Sequence, residues 1–438
     1  SSVYLSVTAN SPYCTASPLI FLPIYSSLSS LNNTGMLSPS TVILLSESLI
    51  FGVTVPSLPM IDVKRAELSE SVDKHIFVFE RGSQFDLLEK VIKEYIELND
   101  SEQIVFDWHG GEPLLLGLDY FKKIVRLQNK YRGNKHIYNT IQTNATLLDD
   151  DYARFFKESN FLVGVSVDGP QDVHDKYRKY RGGQPTFLKV MHGVELLHRY
   201  AVDFNTLTTI SRAGEGRGLE VYQFMKNIGS RYMQFMPVFE YVNTVNKNIA
   251  SPEDDNSSLA EWSVNPMEYG MFMCDIFDYW VKNDVGSYFV NLFDSTLANY
   301  CGMNPGTCVY SETCGANAVM EHNGDIYPCD HFVYPKYKLG NVKDMSLREI
   351  MSSEKSRRFG VDKKNMLPVQ CIRCKYYFAC HGECPKHRFT KTEHNEVRIN
   401  SLCEGLYHFF SHVDPYMQMM KALIYEGKEA KLIMDYNF

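Results

Sequence analysis

Eight of the eleven cysteines in this chain of 438 residues fall between residues 308 and 403. They are Cys308, Cys314, Cys329, Cys371, Cys374, Cys380, Cys384 and Cys403. Four thiolates complete a tetrahedral zinc site or a cubane iron–sulfur cluster, so eight predict two metal centres. The short spacings between 371 and 384 favour metal ligands over disulfides in a chain of this length. Two structural zinc sites are the alternative, although zinc ligands more often pair one C-x2-C with another.

One carboxylate stands directly beside this array, because Asp330 follows Cys329. If Cys329 binds a metal, the Asp330 side chain is held close to it. A positioned carboxylate beside a redox centre is a candidate general base. The simpler interpretation is a residue that caps a turn. Cys274 and Cys301 have no partner at ligand spacing, and such cysteines are usually small buried apolar residues.

Strand and helix patterns alternate from residue 85 to residue 236, which predicts a parallel sheet that is closed or partly closed into a barrel. The predicted strands cover 104–108, 137–142, 162–167, 204–210 and 232–236. The predicted helices cover 85–98, 118–131, 149–159, 187–200 and 218–228, with further helices over 266–282, 290–300 and 413–424. In folds of this kind the chemistry lies at the carboxyl ends of the strands.

Glycine and polar clusters fall at these strand ends, at 109–112, 142–144 and 166–168. A turn made of Gly110 and Gly111 lets a ligand approach the backbone, and Glu112 could hold an ammonium group. An ordinary turn in which glycine supplies a positive φ explains the same residues. Ser166 and Arg178 by themselves carry little information, since most such residues are polar groups at the surface.

The composition is that of a globular protein, with 44% hydrophobic and 22% charged residues. A net charge of −8 argues against a non-specific nucleic-acid binder. The first 61 residues differ from the rest, because Glu47 is their only charged residue and no period persists. They lack the basic start of a signal peptide, and their apolar part is too short to span a bilayer well. We interpret residues 1–61 as a disordered or mis-specified leader, and the lone Cys14 as incidental.

Five motifs are specific in combination. They are WHGGEP at 108–113, SVDGP at 166–170, GDIYPCDH at 324–331, KLGN at 338–341 and CHGECPKHR at 380–388. Together they closely resemble the anaerobic sulfatase-maturating enzymes, which are radical S-adenosylmethionine (SAM) enzymes with a C-terminal SPASM domain. The resemblance covers about residues 85 to 425. It implies an α/β fold, a partial (β/α)6 barrel followed by a cysteine-rich domain with two auxiliary [4Fe–4S] clusters.

The resemblance also implies roles for individual residues. Cys308, Cys314, Cys329 and Cys384 would hold the first auxiliary cluster, and Cys371, Cys374, Cys380 and Cys403 the second. Gly110, Gly111, Glu112, Ser166, Arg178 and Phe239 would contact SAM, and Asp330 matches the general base of the family. The family oxidises a Cys or Ser side chain in an unfolded sulfatase segment to Cα-formylglycine. An electron leaves through the clusters, and a flavodoxin or ferredoxin is the implied redox partner.

The sequence departs from this family in one respect. Its members carry C-x3-C-x2-C before the first barrel helix, and these three thiolates hold the cluster that cleaves SAM. No cysteine lies between Cys14 and Cys274 in this chain. A faulty or replaced gene start is the interpretation we favour, because the unusual composition ends where the resemblance begins. The alternative is a degenerate, non-catalytic SPASM protein that acts in peptide binding or electron relay, and a maturase of another peptide is a third reading.

These observations predict five segments. They are a leader at 1–61, a radical SAM-like barrel at 62–245, a linker with helices at 246–300, a SPASM domain at 301–410 and a helical tail at 411–438. The expected location is the cytoplasm, because the cysteine usage fits a reducing compartment. We expect neither nucleic acid nor a membrane as a partner.

Overall fold

The computed structural model describes residues 76–78, 85–246, 248–250, 254, 256–315, 317–389 and 399–436. The predicted leader at 1–61 lies outside these residues. The strands are β1 Ile76–Val78, β2 Gln103–Trp108, β3 His136–Thr143, β4 Phe161–Ser166, β5 Phe204–Ile210, β6 Tyr232–Pro237, β7 Tyr241–Asn243, β8 Ser257–Leu259, β9 Phe289–Val290, β10 Ala318–Met320, β11 Asp325–Tyr327 and β12 Gly340–Asn341. The helices are α1 Phe85–Leu98, α2 Leu118–Tyr131, α3 Asp150–Glu158, α4 Gln171–Tyr177, α5 Phe187–Arg199, α6 Gly218–Asn227, α7 Pro266–Asn283, α8 Asn291–Tyr300, α9 Leu347–Met351, α10 Glu354–Asn365, α11 Val369–Ile372, α12 Tyr377–Cys380 and α13 Cys403–Tyr425.

A six-stranded parallel sheet forms the first part of the molecule, in the order β2-β3-β4-β5-β6-β9. The five predicted strands are its first five members, and the five predicted helices are α1, α2, α3, α5 and α6. Each of these predictions is confirmed. The strands form because apolar runs such as Phe161–Ser166 are buried along their whole length. Helix α3 begins at the N-cap Asp149, whose carboxylate accepts a hydrogen bond from the backbone N–H of Tyr152.

Two elements of this part are not in the sequence prediction. Strand β9 has only two residues and pairs with β6, which makes it the sixth parallel strand. Helix α4 has seven residues and lies between β4 and α5. Both are too short for a hydrophobic period to reveal them.

A second sheet of four strands carries the loop that leads to Cys329. Strands β10 and β11 form an antiparallel hairpin, and β12 pairs with β11. Strand β1 pairs with β10 in parallel, so a segment that precedes the barrel in sequence completes this sheet. Cys329 and Asp330 follow the end of β11.

Helices α7 and α13 pack against each other more closely than side chains normally permit. A Cβ built on Gly405 would lie 1.7 Å from the carbonyl oxygen of Pro266, and one built on Gly270 would lie 2.3 Å from the carbonyl oxygen of Gly405. Only glycine allows this approach. Because α13 begins at Cys403, this contact fixes the position of Cys403 relative to the barrel.

Candidate functional site

Four thiols from distant parts of the chain meet in the cysteine-rich region. We call Cys308, Cys314, Cys329 and Cys384 quartet A. Burial raises the pKa of the Cys329 thiol well above its ordinary value, and the charges of Asp330 and of the other three cysteines raise it further. Burial together with Cys314 and other nearby acidic groups likewise raises the pKa of Cys308 to about 12. The four sulfur atoms are therefore close enough to repel one another as thiolates.

The remaining four cysteines of the array form a second group. We call Cys371, Cys374, Cys380 and Cys403 quartet B. Burial and the charges of Cys371 and Cys374 raise the pKa of Cys403 to about 11. Burial also raises the pKa of Cys380, and Glu383, Cys403 and Cys371 add to the effect. These mutual effects on the pKa values group the eight cysteines in the same two sets that the family resemblance implies, and their role as cluster ligands stays a prediction.

The two quartets suit a metal cluster by their chemistry. Burial and mutual repulsion favour the protonated form of these thiols. A cationic metal centre bound among them would convert them to thiolates. Within the described residues, no group of three or more His, Cys, Asp or Glu side chains is arranged to hold a single metal ion. Cys274 and Cys301 belong to neither quartet, and both are buried in the apolar core, as the sequence predicted.

Quartets A and B are neighbours. Cys380 of quartet B and Cys384 of quartet A stand four residues apart, and both act on the pKa of the buried Tyr310 hydroxyl. The side-chain amide of Asn299 joins the two regions, since it donates to the carbonyl oxygens of Tyr310 (2.9 Å) and Ala379 (3.0 Å). The Tyr310 hydroxyl is therefore near one thiol of each quartet.

Asp330 lies near both quartet A and the barrel. The Cys329 Sγ atom lies 3.3 Å from Asp330 Oδ1. Burial raises the pKa of Asp330, and His109, whose charge opposes this effect, follows directly after strand β2. His109 follows strand β2 of the six-stranded sheet, whereas Asp330 lies just beyond strand β11 of the four-stranded sheet. Sequence reasoning grouped His109 with the strand-end cluster but gave it no role, because its proximity to Asp330 is a tertiary contact.

The turn after β2 has the geometry of a backbone cradle. Gly110 adopts a φ of 140°, which strongly favours glycine. A Cβ built on Gly111 would meet no heavy atom within 4 Å. Glu112 is buried and accepts hydrogen bonds from Leu114 N (3.0 Å), Thr143 Oγ1 (2.8 Å) and Asn144 N (2.8 Å). Burial raises the pKa of Glu112 to about 7, and the three hydrogen bonds offset this effect only in part.

Polar contacts continue along the same edge of the sheet. Glu112 reaches the end of β3, and Gln142 of β3 donates to Ser166 Oγ of β4 at 2.9 Å. Asp168, just beyond β4, accepts from the backbone N–H of Thr209 at 3.0 Å in β5. The edge formed by the carboxyl ends of β2 to β5 thus carries Gly110, Gly111, Glu112 and Ser166, as the sequence predicted for a parallel sheet.

Arg178 forms a buried ion pair at this edge. Its Nε atom lies 2.5 Å from Asp168 Oδ2, and its Nη2 donates to Thr209 Oγ1 at 3.3 Å. Burial alone would raise the pKa of Asp168, but the charge and hydrogen bond of Arg178 outweigh it and lower the pKa. Arg178 therefore has a structural role in addition to the cofactor contact that the resemblance implies.

We expect Arg178→Ala to lower the free energy of unfolding by about 3–5 kcal/mol, because it leaves the Asp168 carboxylate buried without its partner. The Asp168 pKa would then lie above its unfolded value, so protonation relieves the penalty. Urea unfolding should show a smaller difference from the original chain at about pH 5 than at about pH 7. Arg178→Lys keeps the positive charge, so its free energy of unfolding should fall by less than that of Arg178→Ala. A loss below about 1 kcal/mol for Arg178→Ala would contradict the structural role.

A cleft opens between the end of β6 and the cysteine-rich region. Phe239 lines it from the barrel side, and Cys384, His331 and His387 line it from the other side. The rings of Phe239 and His387 lie 6.3 Å apart. Phe239 therefore lines the same cleft as Cys384 of quartet A, whereas Ser166 ends strand β4 and Arg178 follows helix α4.

Charged groups that sequence reasoning did not single out also line the cleft. Lys386 Nζ lies 3.7 Å from Glu240 Oε2 and 2.5 Å from the Tyr334 hydroxyl. Glu383 receives a hydrogen bond from His387 Nδ1 at 2.8 Å. The motif CHGECPKHR contains three of these residues, so the sequence held a signal for them. The ion pair between Lys386 and Glu240 joins distant segments, so the sequence alone could not predict it.

Comparisons with known proteins agree with this architecture. The Radical SAM superfamily pattern matches residues 52–215, and the SPASM pattern, an iron–sulfur cluster-binding domain, matches residues 312–375. A serine-type anaerobic sulfatase-maturating enzyme of Bacteroides thetaiotaomicron is 46% identical over 362 residues, which cover 82% of this chain and 86% of that protein. A cysteine-type enzyme of Clostridium novyi is 32% identical over 347 residues, or 78% of this chain and 89% of that protein.

Solved structures give the same result. The structure of native anSMEcpe with bound AdoMet and Cp18Cys peptide has a TM-score of 0.72 at 28% identity, and the match covers 80% of this chain and 99% of that chain. Streptococcus suis SuiB, bound to its precursor peptide SuiA, has a TM-score of 0.53 at 11% identity, which shows a shared fold alone.

The parallel six-stranded sheet and the cysteine-rich domain define a radical SAM enzyme with a SPASM domain. Within that class, the chain belongs to the anaerobic sulfatase-maturating enzymes. Its relatives identify it with sulfatase maturation and with oxidoreductase chemistry that uses SAM and iron–sulfur clusters. Among the helices that the structure describes, none combines the length and apolar character of a transmembrane span.

One expected cofactor does not fit the residues of this sequence. The cluster that cleaves SAM needs three thiolates before the first barrel helix, and positions 15 to 273 contain no cysteine. The two auxiliary clusters do fit, because each quartet supplies four thiols. We therefore assign no reaction step in this sequence to a SAM-cleaving cluster.

Proposed function

We propose that the protein oxidises a Cys or Ser side chain of a sulfatase segment to Cα-formylglycine when it is supplied with a SAM-cleaving cluster. The observation that carries this proposal is the position of Asp330. Its carboxylate lies beside Cys329 of quartet A and faces His109 at the edge that carries the glycine turn. This position supports Asp330 as a proton acceptor that would lie near both a candidate electron acceptor and a candidate SAM site.

The residues of the chain have separate tasks in this proposal. In a chain whose missing N-terminal thiolates are restored, SAM and its cluster would supply the radical chemistry on the substrate Cβ. Gly110 and Gly111 let SAM approach the backbone, and Glu112 holds its ammonium group. Asp330 accepts the proton that the substrate releases. Its raised pKa suits proton uptake from a nearby donor.

The auxiliary clusters would be held by quartets A and B. Two complete sets of four thiolates leave no iron open for a substrate, which suits electron transfer better than substrate binding. Cys384 of quartet A and Cys380 of quartet B both act on the pKa of Tyr310, so an electron that reaches quartet A would have quartet B nearby. A flavodoxin or ferredoxin is the partner class that we propose as its acceptor, and the cytoplasm remains the predicted location.

The choice between serine and cysteine is part of the proposal. The Bacteroides relative with 46% identity is serine-type, which favours serine. A serine-type relative from Klebsiella aerogenes and the cysteine-type one from Clostridium novyi are 33% and 32% identical, so identity at that level separates the types poorly. Both peptides therefore belong in the assay.

The test uses a chimera in which residues 1–75 are replaced by the corresponding segment of the Bacteroides relative. After anaerobic reconstitution with SAM and a reductant, we expect the chimera to remove two hydrogen atoms from a serine peptide, as mass spectrometry would show. The original sequence should give no formylglycine. A chimera that holds all its clusters and cleaves SAM, yet leaves both peptides unchanged, would favour the non-catalytic or other-peptide alternatives.

We expect Gly111→Val in this chimera to weaken SAM binding at least tenfold. The added side chain meets no protein atom, because the space above Gly111 is open, but it fills the space that a ligand needs. Equilibrium dialysis with labelled SAM measures the loss. The free energy of unfolding should stay within about 0.5 kcal/mol of that of the parent. Unchanged SAM affinity would remove Gly111 from the cofactor site.

A further inference from the structure

A fully buried histidine of helix α4 connects the two residues that flank this helix. The Nδ1 atom of His174 accepts a hydrogen bond from the backbone N–H of Asp168 at 3.3 Å, and its Nε2 atom lies 3.1 Å from Thr186 Oγ1. Thr186 Oγ1 in turn donates to the carbonyl oxygen of Arg178 at 2.7 Å. A chain of three hydrogen bonds therefore runs from the backbone of Asp168, just beyond β4, to the backbone of Arg178.

This hydrogen-bonded chain admits one tautomer of the histidine. Because Nδ1 accepts, the proton of a neutral imidazole ring is on Nε2, where it is donated to the Thr186 hydroxyl. Burial lowers the pKa of His174 to about 4; the charge of Arg178 also lowers it, whereas Asp168 and Asp175 oppose the shift. The ring is therefore neutral at neutral pH, which is the state that the chain of hydrogen bonds requires.

The hydroxyl of Thr186 is not used for helix capping. Thr186 is the N-cap of α5, a position at which threonine usually accepts a hydrogen bond from the first turn, but its side chain makes no such bond. The carboxylate of Asp175 replaces it and accepts from the backbone N–H groups of Thr186 and Phe187, both at 3.0 Å. The Thr186 hydroxyl is thereby left to join His174 to Arg178.

The two residues at the ends of the chain are also joined through their side chains. Arg178 Nε pairs with Asp168 Oδ2, and Asp168 Oδ1 accepts from Thr209 Oγ1 at 2.7 Å. Both the backbone and the side chain of each residue are therefore held. Ser166 precedes Asp168 by two residues at the end of β4, so the whole network fixes the polar groups at this edge of the sheet.

We propose that His174 is a positioning residue that holds Ser166 and Arg178 in the orientation that binds SAM. It is too deeply buried to touch the cofactor, so it acts through the backbone of Asp168 and of Arg178. A histidine suits this task because one rigid ring accepts a hydrogen bond on one side and donates one on the other. The proposal rests on the proposed function only in assigning Ser166 and Arg178 to the SAM site.

The tautomer is measured first, by nitrogen NMR of the original full chain with labelled histidine. At about pH 5.5 the ring of His174 should still be neutral and carry its proton on Nε2, because its pKa is about 4. The signals are assigned by their loss in His174→Phe. A ring that carries its proton on Nδ1, or on both nitrogens, would overturn the proposal.

The second measurement is the affinity for labelled SAM, by equilibrium dialysis of the chimera. His174→Phe keeps a ring beside Phe187 but removes both hydrogen bonds, and Thr186→Val keeps the shape of the side chain but removes the hydroxyl. Each should weaken SAM binding about tenfold. Because both changes interrupt the same chain, the double variant should also lose about tenfold, and not the hundredfold of two independent losses.

Two controls separate position from stability. Thr186→Ser keeps the hydroxyl and should bind SAM within about twofold of the parent chimera. Leu196→Ala removes a buried side chain of α5 outside the chain of hydrogen bonds. It should lower the free energy of unfolding but leave the SAM affinity within about twofold.

Three results of the dialysis would overturn the proposal. They are SAM affinities within about twofold for both His174→Phe and Thr186→Val, additive losses in the double variant, and an equal loss in Leu196→Ala. A parent chimera that binds no SAM would instead contradict the SAM site of the proposed function, while the tautomer in the original chain would still decide whether the chain of hydrogen bonds exists. Formylglycine is not measured in either experiment.

Discussion

Asp330→Asn should abolish formylglycine formation in the chimera, with a loss of at least a hundredfold in rate, while the iron content stays unchanged. Asparagine keeps the shape of the side chain but cannot accept a proton, and general-base catalysis typically contributes 10²–10⁴-fold. Asp330 is the carboxylate that lies 3.3 Å from the Cys329 sulfur and faces His109. Mass spectrometry of a serine peptide measures the product.

The measurement needs two controls. Asp344→Asn changes an exposed carboxylate of the same region and should keep full activity. SAM cleavage without peptide should continue in Asp330→Asn, because the base acts only on the substrate. If Asp330→Asn produced formylglycine at the parent's rate, the base assignment would be wrong, whereas loss of iron would indicate a structural role beside Cys329.

Pairs of cysteine substitutions should reveal the two quartets directly. Changing two members of one quartet to alanine, such as Cys371 and Cys403, should remove about half of the iron, because one [4Fe–4S] cluster loses its ligands. Changing one member of each quartet, Cys380 and Cys384, should remove nearly all of it. Both variants lack two thiols, so the number of cysteines removed cannot by itself explain a difference in iron content between them.

The matched control is the double change of Cys274 and Cys301 to alanine. These cysteines are buried in the core and belong to neither quartet, so the iron content should not change. Iron and acid-labile sulfide are measured per folded chain after gel filtration. Equal iron loss in the two test variants would reject the division into quartets A and B.

The barrel could be predicted from sequence because its elements are long and periodic. Strand β4 and helix α2, for example, were placed within one residue of the bounds found in the structure. Strand β9 was missed because two residues carry no period. Helix α13 was predicted to begin at residue 413 but begins at Cys403, since the metal-ligating segment hides the apolar pattern of its first turns.

The site could be predicted in part. Residue types and spacing identified the eight thiols and Asp330, and the family resemblance divided the thiols into two sets. The proximity of His109 to Asp330 and the Arg178–Asp168 ion pair required the fold, because each joins segments whose spacing follows from tertiary packing. The ligand assignments themselves remain predictions.

Iron and sulfide analysis of the anaerobically purified and reconstituted chain tests the assignment of two cubane clusters most directly. We predict about eight iron and eight sulfide ions per chain, with the broad charge-transfer absorption of [4Fe–4S] centres. About two zinc ions with no sulfide, in a colourless protein, would contradict it and would indicate two structural zinc sites instead.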